Sequence, residues 1–367
     1  METRGGCSGG GAGLEEEAAQ REREWEEAAE AVAYDSCTWP PPIVAVCGPG
    51  NCGKSAFSRL LLNTLIARYK KVGYLDIDVG QPEFTPPGFV SLHVLEQQAK
   101  DLTILYLRNP KRCFFFGDVC AQRNPKLLLA YIFELYDYFL KEFYCFREIG
   151  NPKKSAIPLV INTSGWVKGT GLHVLTEMLK SVSPTHVIRV STTVERKNLP
   201  SGTFWMNQSD EGPPVNLVEI RAAQNSPRHL LVKKEERIIR DLRMIAYFRQ
   251  CLPRDFNVSD TDEHRFLNGT IVGLATSVSP LSVESSNPCC IGLGFIKAVD
   301  VSEGCIHLIT PVSQELMEKV DIIFQSYIAV PSCLLKVIVN TVLLQLFRKY
   351  IERIVNKFRG CSRCDSY

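Results

Sequence analysis

No stretch of the 367 residues is apolar for long enough to cross a bilayer. The most apolar, residues 333–347, is about 15 residues long and contains Lys336, whereas a spanning helix needs about 20. A basic, apolar leader is missing too: the chain starts glycine-rich and then turns acidic, which predicts no secretory signal. Histidine is scarce, and neither His173 nor His186 stands near partners that suggest a metal or catalysis. Fourteen cysteines are many, yet no second C-x-x-C accompanies Cys361 and Cys364, so a four-thiolate zinc site is not spelled out. Cys289 and Cys290 are adjacent, and Cys47 and Cys52 fall in a glycine-rich loop. The cysteines read as reduced, mostly buried thiols of an intracellular protein. There is no internal repeat.

What is present suits a globular protein. Apolar residues are 45% of the chain and charged residues 22%, enough of both for a sizeable core under a soluble surface. Charge is unevenly spread. Residues 1–38 carry ten acids against three arginines, a charge of −7 that leaves +9 on the remainder of a chain whose total is +2. A mildly basic body suits a polyanionic partner.

Residues 1–13 are glycine-rich, and 14–34 are strong helix formers with few large apolar side chains. The expectation for 1–39 is therefore an acidic, partly disordered tail with a solvated helix. After Pro40, Pro41 and Pro42 the pattern changes. Strands are expected at 43–47, 72–76, 158–161 and 186–190, and helices at 54–69, 125–143 and 171–182. Alternation of this kind predicts an α/β domain over 40–254, a parallel sheet with helices on both faces. On the 125–143 helix, Leu127, Tyr131, Leu135 and Tyr138 form a packing stripe. Residues 195–228 look like a loop or insertion, followed by a basic helix from about 233 to 251. Shorter β-type pieces at 270–274, 290–297, 305–309 and 320–328 predict a small β-rich domain over 255–335. Residues 336–367 interleave Arg348, Lys349, Arg353, Lys357 and Arg359 with apolar residues at helical spacing, which predicts a basic amphipathic helix.

Gly48-Pro49-Gly50-Asn51-Cys52-Gly53-Lys54-Ser55 fits G-x-x-x-x-G-K-[ST], between an expected strand and an expected helix. In this P-loop the glycines let backbone N–H groups turn around phosphates, and the helix N-terminus favours anions. Lys54 is positioned to reach the β- and γ-phosphates of a nucleotide and Ser55 to ligate Mg²⁺. The next expected strand ends in Asp76-Ile77-Asp78-Val79-Gly80-Gln81. Carboxylates two apart on a strand end share a side. One can support Mg²⁺ while the other accepts a proton from an attacking hydroxyl.

A guanine-reading N-K-x-D segment is absent, and so is an ABC-type signature. Instead, four segments resemble the polynucleotide 5′-hydroxyl kinase family of RNA-processing factors, over about residues 40 to 330. They are the P-loop, Asp76-Ile77-Asp78-Val79-Gly80-Gln81 with Thr85-Pro86-Pro87-Gly88, Ile161-Asn162-Thr163-Ser164-Gly165-Trp166, and the arginine-rich stretch over 237–243 leading into Tyr247-Phe248. The second is similar to that family's D-x-x-Q strand end, the third to its T-x-G-W element and the fourth to its lid. The T-P-P-G tail favours the nucleolar pre-rRNA-processing branch. So does the segment 114–119, where the cleavage-factor branch offers a hydroxyl near the substrate and this chain has no Ser or Thr.

The resemblance implies ATP with Mg²⁺ as cofactors and RNA with a 5′-hydroxyl end as substrate. It implies Asp78 as general base with Gln81 beside it, and Asp76 with Ser55 at the metal. Thr163 and Trp166 would meet the substrate, the ring as a stacking platform for a base. Arg237, Arg240 and Arg243, spaced to share a helical face, would form a cationic lid, with Arg240 taken as the arginine that stabilises the transferring phosphoryl group. A nuclease or other subunits of an RNA-processing complex are implied as partners, and the nucleus, with the nucleolus favoured, as the location. Two other readings stay open: a non-catalytic ATP-binding scaffold and a small-molecule kinase.

Overall fold

The structure, a computed structural model, describes residues 10–34, 40–99, 107–144, 156–206, 215–222, 229–251, 269–277, 287–300, 305–331, 334 and 344–345. In chain order the first elements are α1 (Gly10–Tyr34), β1 (Ile43–Cys47), α2 (Lys54–Tyr69), β2 (Val72–Asp76), β3 (Phe89–Leu95) and β4 (Arg112–Phe115). Next come α3 (Pro125–Phe143), β5 (Leu159–Asn162), α4 (Thr170–Val182), β6 (His186–Ser191), β7 (Asn216–Arg221) and α5 (His229–Phe248). The last strands are β8 (Thr270–Thr276), β9 (Cys289–Asp300), β10 (Cys305–Ile309), β11 (Ile322–Gln325) and β12 (Leu344–Gln345). The chain forms two compact units: residues 1–77, 93–100 and 136–227 make one, and 78–92, 101–135 and 228–367 the other.

In the first unit β2, β5, β1, β6 and β7 lie side by side, every pair parallel. β1 is apolar throughout and β5 is apolar up to its closing Asn162, and both are fully buried, as a sheet covered on both faces requires. α2 ends where Lys70 takes a left-handed conformation and its N–H donates to the Ile66 carbonyl at 2.9 Å. Ser183 ends α4 in the same way, on Leu179 at 3.0 Å.

Two expectations for this unit need correction. α1 is not a solvated tail: Ala28, Ala29, Val32 and Ala33 are buried, and the helix packs on α2 and β7. Trp25 meets Phe57 edge-on with ring centres 5.6 Å apart, and its indole N–H donates to the Arg221 carbonyl at 2.8 Å. Glu24 pairs with Arg221 at 2.9 Å. A stripe of alanines hides a packing face because it carries little hydrophobicity per residue, although it permits close helix contact. The pattern-poor 195–228 stretch likewise contains β7, a sheet-edge strand whose polar exposed positions conceal its period.

In the second unit β3 and β4 pair antiparallel, from Phe89 opposite Phe115 to Leu92 opposite Arg112. The order β11-β8-β9-β10-β12 makes a separate antiparallel sheet. Phe89, Cys113 and Phe115 from the hairpin, Met244 and Phe248 from α5, and Ile271, Leu293 and Phe295 from the sheet build one apolar core. Arg112 is buried in this unit and pairs with Glu134 at 3.1 Å, and Glu134 also accepts from Asn287 at 2.7 Å. Of the terminal segment expected to be helical, the described Leu344 and Gln345 are a strand on β10, and the rest lies outside the described residues. No helix among the described residues is long and apolar enough to cross a membrane.

Candidate active site

Residues 48–53 leave β1 at the centre of the parallel sheet and turn into α2. Lys54 is buried and its Nζ donates to the Pro49 carbonyl at 2.8 Å, which holds the ammonium inside the loop. Gly50 and Asn51 are exposed at the crest, and Asn51 adopts a left-handed φ of 61°. Cys52 is buried beneath it. Burial pushes the Cys52 thiol up, and pushes that of Cys47 up to about 12 against an opposing hydrogen bond from Thr163. Both are neutral thiols at physiological pH and act as packing atoms.

β5 separates β1 from β2, and its last residue, Asn162, stands in register with Val46 on one side and Asp76 on the other. Asn162 is fully buried. Its Nδ2 donates to Asp76 Oδ1 at 3.1 Å, while Oδ1 receives the hydroxyls of Ser55 at 3.5 Å and Ser58 at 3.4 Å. The amide thus connects the carboxylate expected to support a metal with the hydroxyl expected to ligate it. Asn162 lies within the motif over 161–166 but carries no expected role there; the signal available in the sequence is an amide closing an otherwise apolar strand.

The following loop reaches the phosphate cradle. A Cβ on Gly165 would lie 2.4 Å from Gly50 Cα and 2.6 Å from its N, so only glycine allows this backbone approach. Thr163 is buried and its hydroxyl donates to the Val46 carbonyl at 2.7 Å, which fixes the loop to β1. Trp166 is half-buried and packs over Gly171 at the start of α4. Lys54, Ser55, Asp76, Thr163 and the Gly165-Trp166 loop therefore converge within the first unit.

Asp78 and Gln81 belong to the second unit and are half-buried. Asp78 Oδ1 accepts the N–H groups of Gly80 and Gln81, each at 3.1 Å, so the carboxylate folds over its own turn. The three arginines expected to form a lid occupy unlike surroundings on α5. Arg237 is exposed and lies 4.0 Å from Asp241, Arg240 is half-buried, and Arg243 is buried with its guanidinium donating to the Pro82 carbonyl. Arg243 thus ties α5 to the residue after Gln81. A separate cavity of about 1170 Å³, whose lining includes Thr85, Arg108, Lys111, Tyr247 and Lys319, contains none of the P-loop residues.

A phosphate cradle between the central strand and a helix, with a buried lysine and a hydroxyl tied to a strand-end carboxylate, defines a P-loop nucleotide-binding protein. Residues 48–250 match the family profile described as mRNA cleavage and polyadenylation factor CLP1 P-loop, and residues 250–331 match NOL9-like, C-terminal domain. The chain is 40% identical over 350 residues to polynucleotide 5′-hydroxyl-kinase NOL9 of Arabidopsis thaliana, covering 86% of this chain and 92% of that protein. With its namesake in Homo sapiens it shares 24% over 371 residues, 80% of this chain and 50% of the relative, so it spans about half the length of that protein. A solved Clp1p–Pcf11p structure superposes with a TM-score of 0.55 at 14% identity, over 87% of this chain and 79% of that one. The chain belongs to the NOL9/Grc3 family of polynucleotide 5′-hydroxyl kinases.

Proposed function

We propose that this chain moves the γ-phosphoryl group of ATP onto the 5′-hydroxyl of RNA, with Mg²⁺, in ribosomal RNA processing in the nucleolus. The observation that carries the reading is the Asp76–Asn162–Ser55 connection beside an intact P-loop, with a D-x-x-Q turn following on the same strand end. Family membership and the curated names of its relatives support it.

In this mechanism Lys54 and the loop N–H groups hold the β- and γ-phosphates. Asp78 takes the proton of the RNA 5′-hydroxyl as its oxygen bonds to the γ-phosphorus, the bond to the β–γ bridging oxygen breaks, and ADP leaves. Gln81 orients the attacking group. Arg240 stabilises charge on the transferring phosphoryl. Ser55 with Asp76 offers hard oxygen donors of the kind Mg²⁺ prefers, and the ion would neutralise phosphate charge there. Trp166 stacks on a base near the 5′ end, and Arg237 contacts the RNA backbone. A nuclease or another RNA-processing subunit fits as the source of 5′-hydroxyl ends, since cleavage that leaves a 2′,3′-cyclic phosphate produces them.

The test is transfer of label from γ-labelled ATP to a short 5′-hydroxyl RNA, with Lys54→Ala and Asp78→Asn alongside. Transfer by the wild type that both variants lose supports the assignment. Tight ATP binding by folded wild type with no labelling of RNA overturns it in favour of an ATP-binding scaffold.

A further inference from the structure

Asp118 lies in the turn after β4, 5% exposed, in a segment to which the reaction above assigns nothing. Its Oδ1 accepts the N–H of Cys120 at 2.8 Å, and its other oxygen pairs with Arg123. The guanidinium of Arg123 sits over the ring of Tyr327, 4.8 Å from its centre. Tyr327 lies just beyond β11 of the antiparallel sheet, and its N–H donates to the Gly117 carbonyl at 2.7 Å. Gly117 takes a φ of +77°, and a Cβ there would come within 3.0 Å of the Gln325 carbonyl. The turn is therefore gripped on one side by residues 325–327.

Its other side faces the D-x-x-Q turn. A Cβ on Gly80 would lie 3.0 Å from the Val119 carbonyl and 3.4 Å from Asp78 Oδ1. Gly80 is thus packed between the Asp118 turn and the carboxylate assigned as base. The T-P-P-G tail closes the arrangement: Gly88 donates to the Val79 carbonyl at 2.8 Å, and the Gly88 carbonyl accepts from Phe116 at 2.8 Å.

The geometry points to a positioning role: Asp118, Arg123 and Tyr327 form a clamp through which the C-terminal sheet fixes the turn carrying Asp78 and Gln81. Asp118 is a positioning residue and does not touch the reacting atoms. The inference rests on the kinase reading for its kinetic consequence, while its structural consequence stands alone. Arg123 and Tyr327 are largely exposed, so truncating them leaves the core intact. Misplacing a reacting group by an ångström costs on the order of 100-fold in rate.

In the full-length chain, Arg123→Ala and Tyr327→Ala are expected to lower kcat for 5′-hydroxyl RNA about ten-fold or more. Their melting temperatures and ATP affinities should stay near wild type. Tyr327→Phe keeps the ring and should keep the rate. Hydrogen exchange at the Gly80 and Gln81 amides, which Asp78 protects, should accelerate in the two alanine variants whether or not the chain labels RNA. Unchanged exchange in both alanine variants overturns the clamp. So does faster exchange with full kcat in an active enzyme. Faster exchange in a protein that never labels RNA upholds the clamp and defeats the kinase reading instead.

Discussion

Replacing Asn162 with alanine tests the connection on which the proposed metal site depends. The substitution removes a 3.1 Å bond to Asp76, a fully buried carboxylate, and two longer contacts to Ser55 and Ser58 at 3.5 and 3.4 Å. A hydrogen bond to a charged group contributes about 1.5–3 kcal/mol, and contacts near 3.5 Å contribute little. Asn162→Ala should therefore lose about 2–3 kcal/mol in urea unfolding followed by circular dichroism, nearly all of it through Asp76. Asn162→Asp should lose more, because it sets a second buried carboxylate against the first. Since Ser55 keeps the P-loop backbone, ATP should still bind without metal, while the Mg²⁺ concentration for half-maximal transfer should rise several-fold. Asn162→Ala with under about 0.5 kcal/mol of destabilisation and an unchanged Mg²⁺ requirement would refute the argument.

Other outcomes follow from the same structure. Gly165→Ala should weaken ATP binding at least ten-fold by calorimetry, since the new Cβ meets Gly50 backbone at 2.4 Å and cannot move a flexible side chain aside. Arg112→Met should cost about 3 kcal/mol in urea unfolding by removing the buried cation that faces Glu134 and leaving the carboxylate only neutral donors such as Asn287, and Arg112→Met with Glu134→Leu should recover much of it. High pH should destabilise the fold. Burial raises the Cys47 thiol from 9.0 to about 12 and the Tyr131 phenol from 10.0 to about 12, so the unfolded chain loses these protons first. Stability is then whole below pH 9 and declines toward pH 12, by at most about 1.4 kcal/mol per pH unit for each group, which a series of urea midpoints would show.

Local chemistry was legible along the chain wherever a short motif carries its own geometry. Residues 48–55 fix a phosphate cradle through glycine torsions and a helix start, and the short, mainly apolar stretches of β1, β2, β5 and β6, alternating with helices, announce a parallel sheet. The small β-rich domain was legible in the same way, from short strands broken by turn residues. α1 was not, because alanine packing depends on what lies opposite. Nor was β7, because an edge strand needs no alternation.

Tertiary structure alone decided which polar groups act on one another. Asn162 gains its role only because strand order places β5 between β1 and β2, a neighbour relation absent from the sequence. Arg237, Arg240 and Arg243 look equivalent at their spacing, yet packing leaves one exposed, one half-buried and one bound to the Pro82 carbonyl. Asp118 and Tyr327 are 209 residues apart along the chain, and only the folded second unit joins them through Arg123. Motifs are written in backbone torsions and side-chain type, which a sequence determines locally. Long-range polar partnership is set by strand order and burial, which exist only once the whole chain has folded.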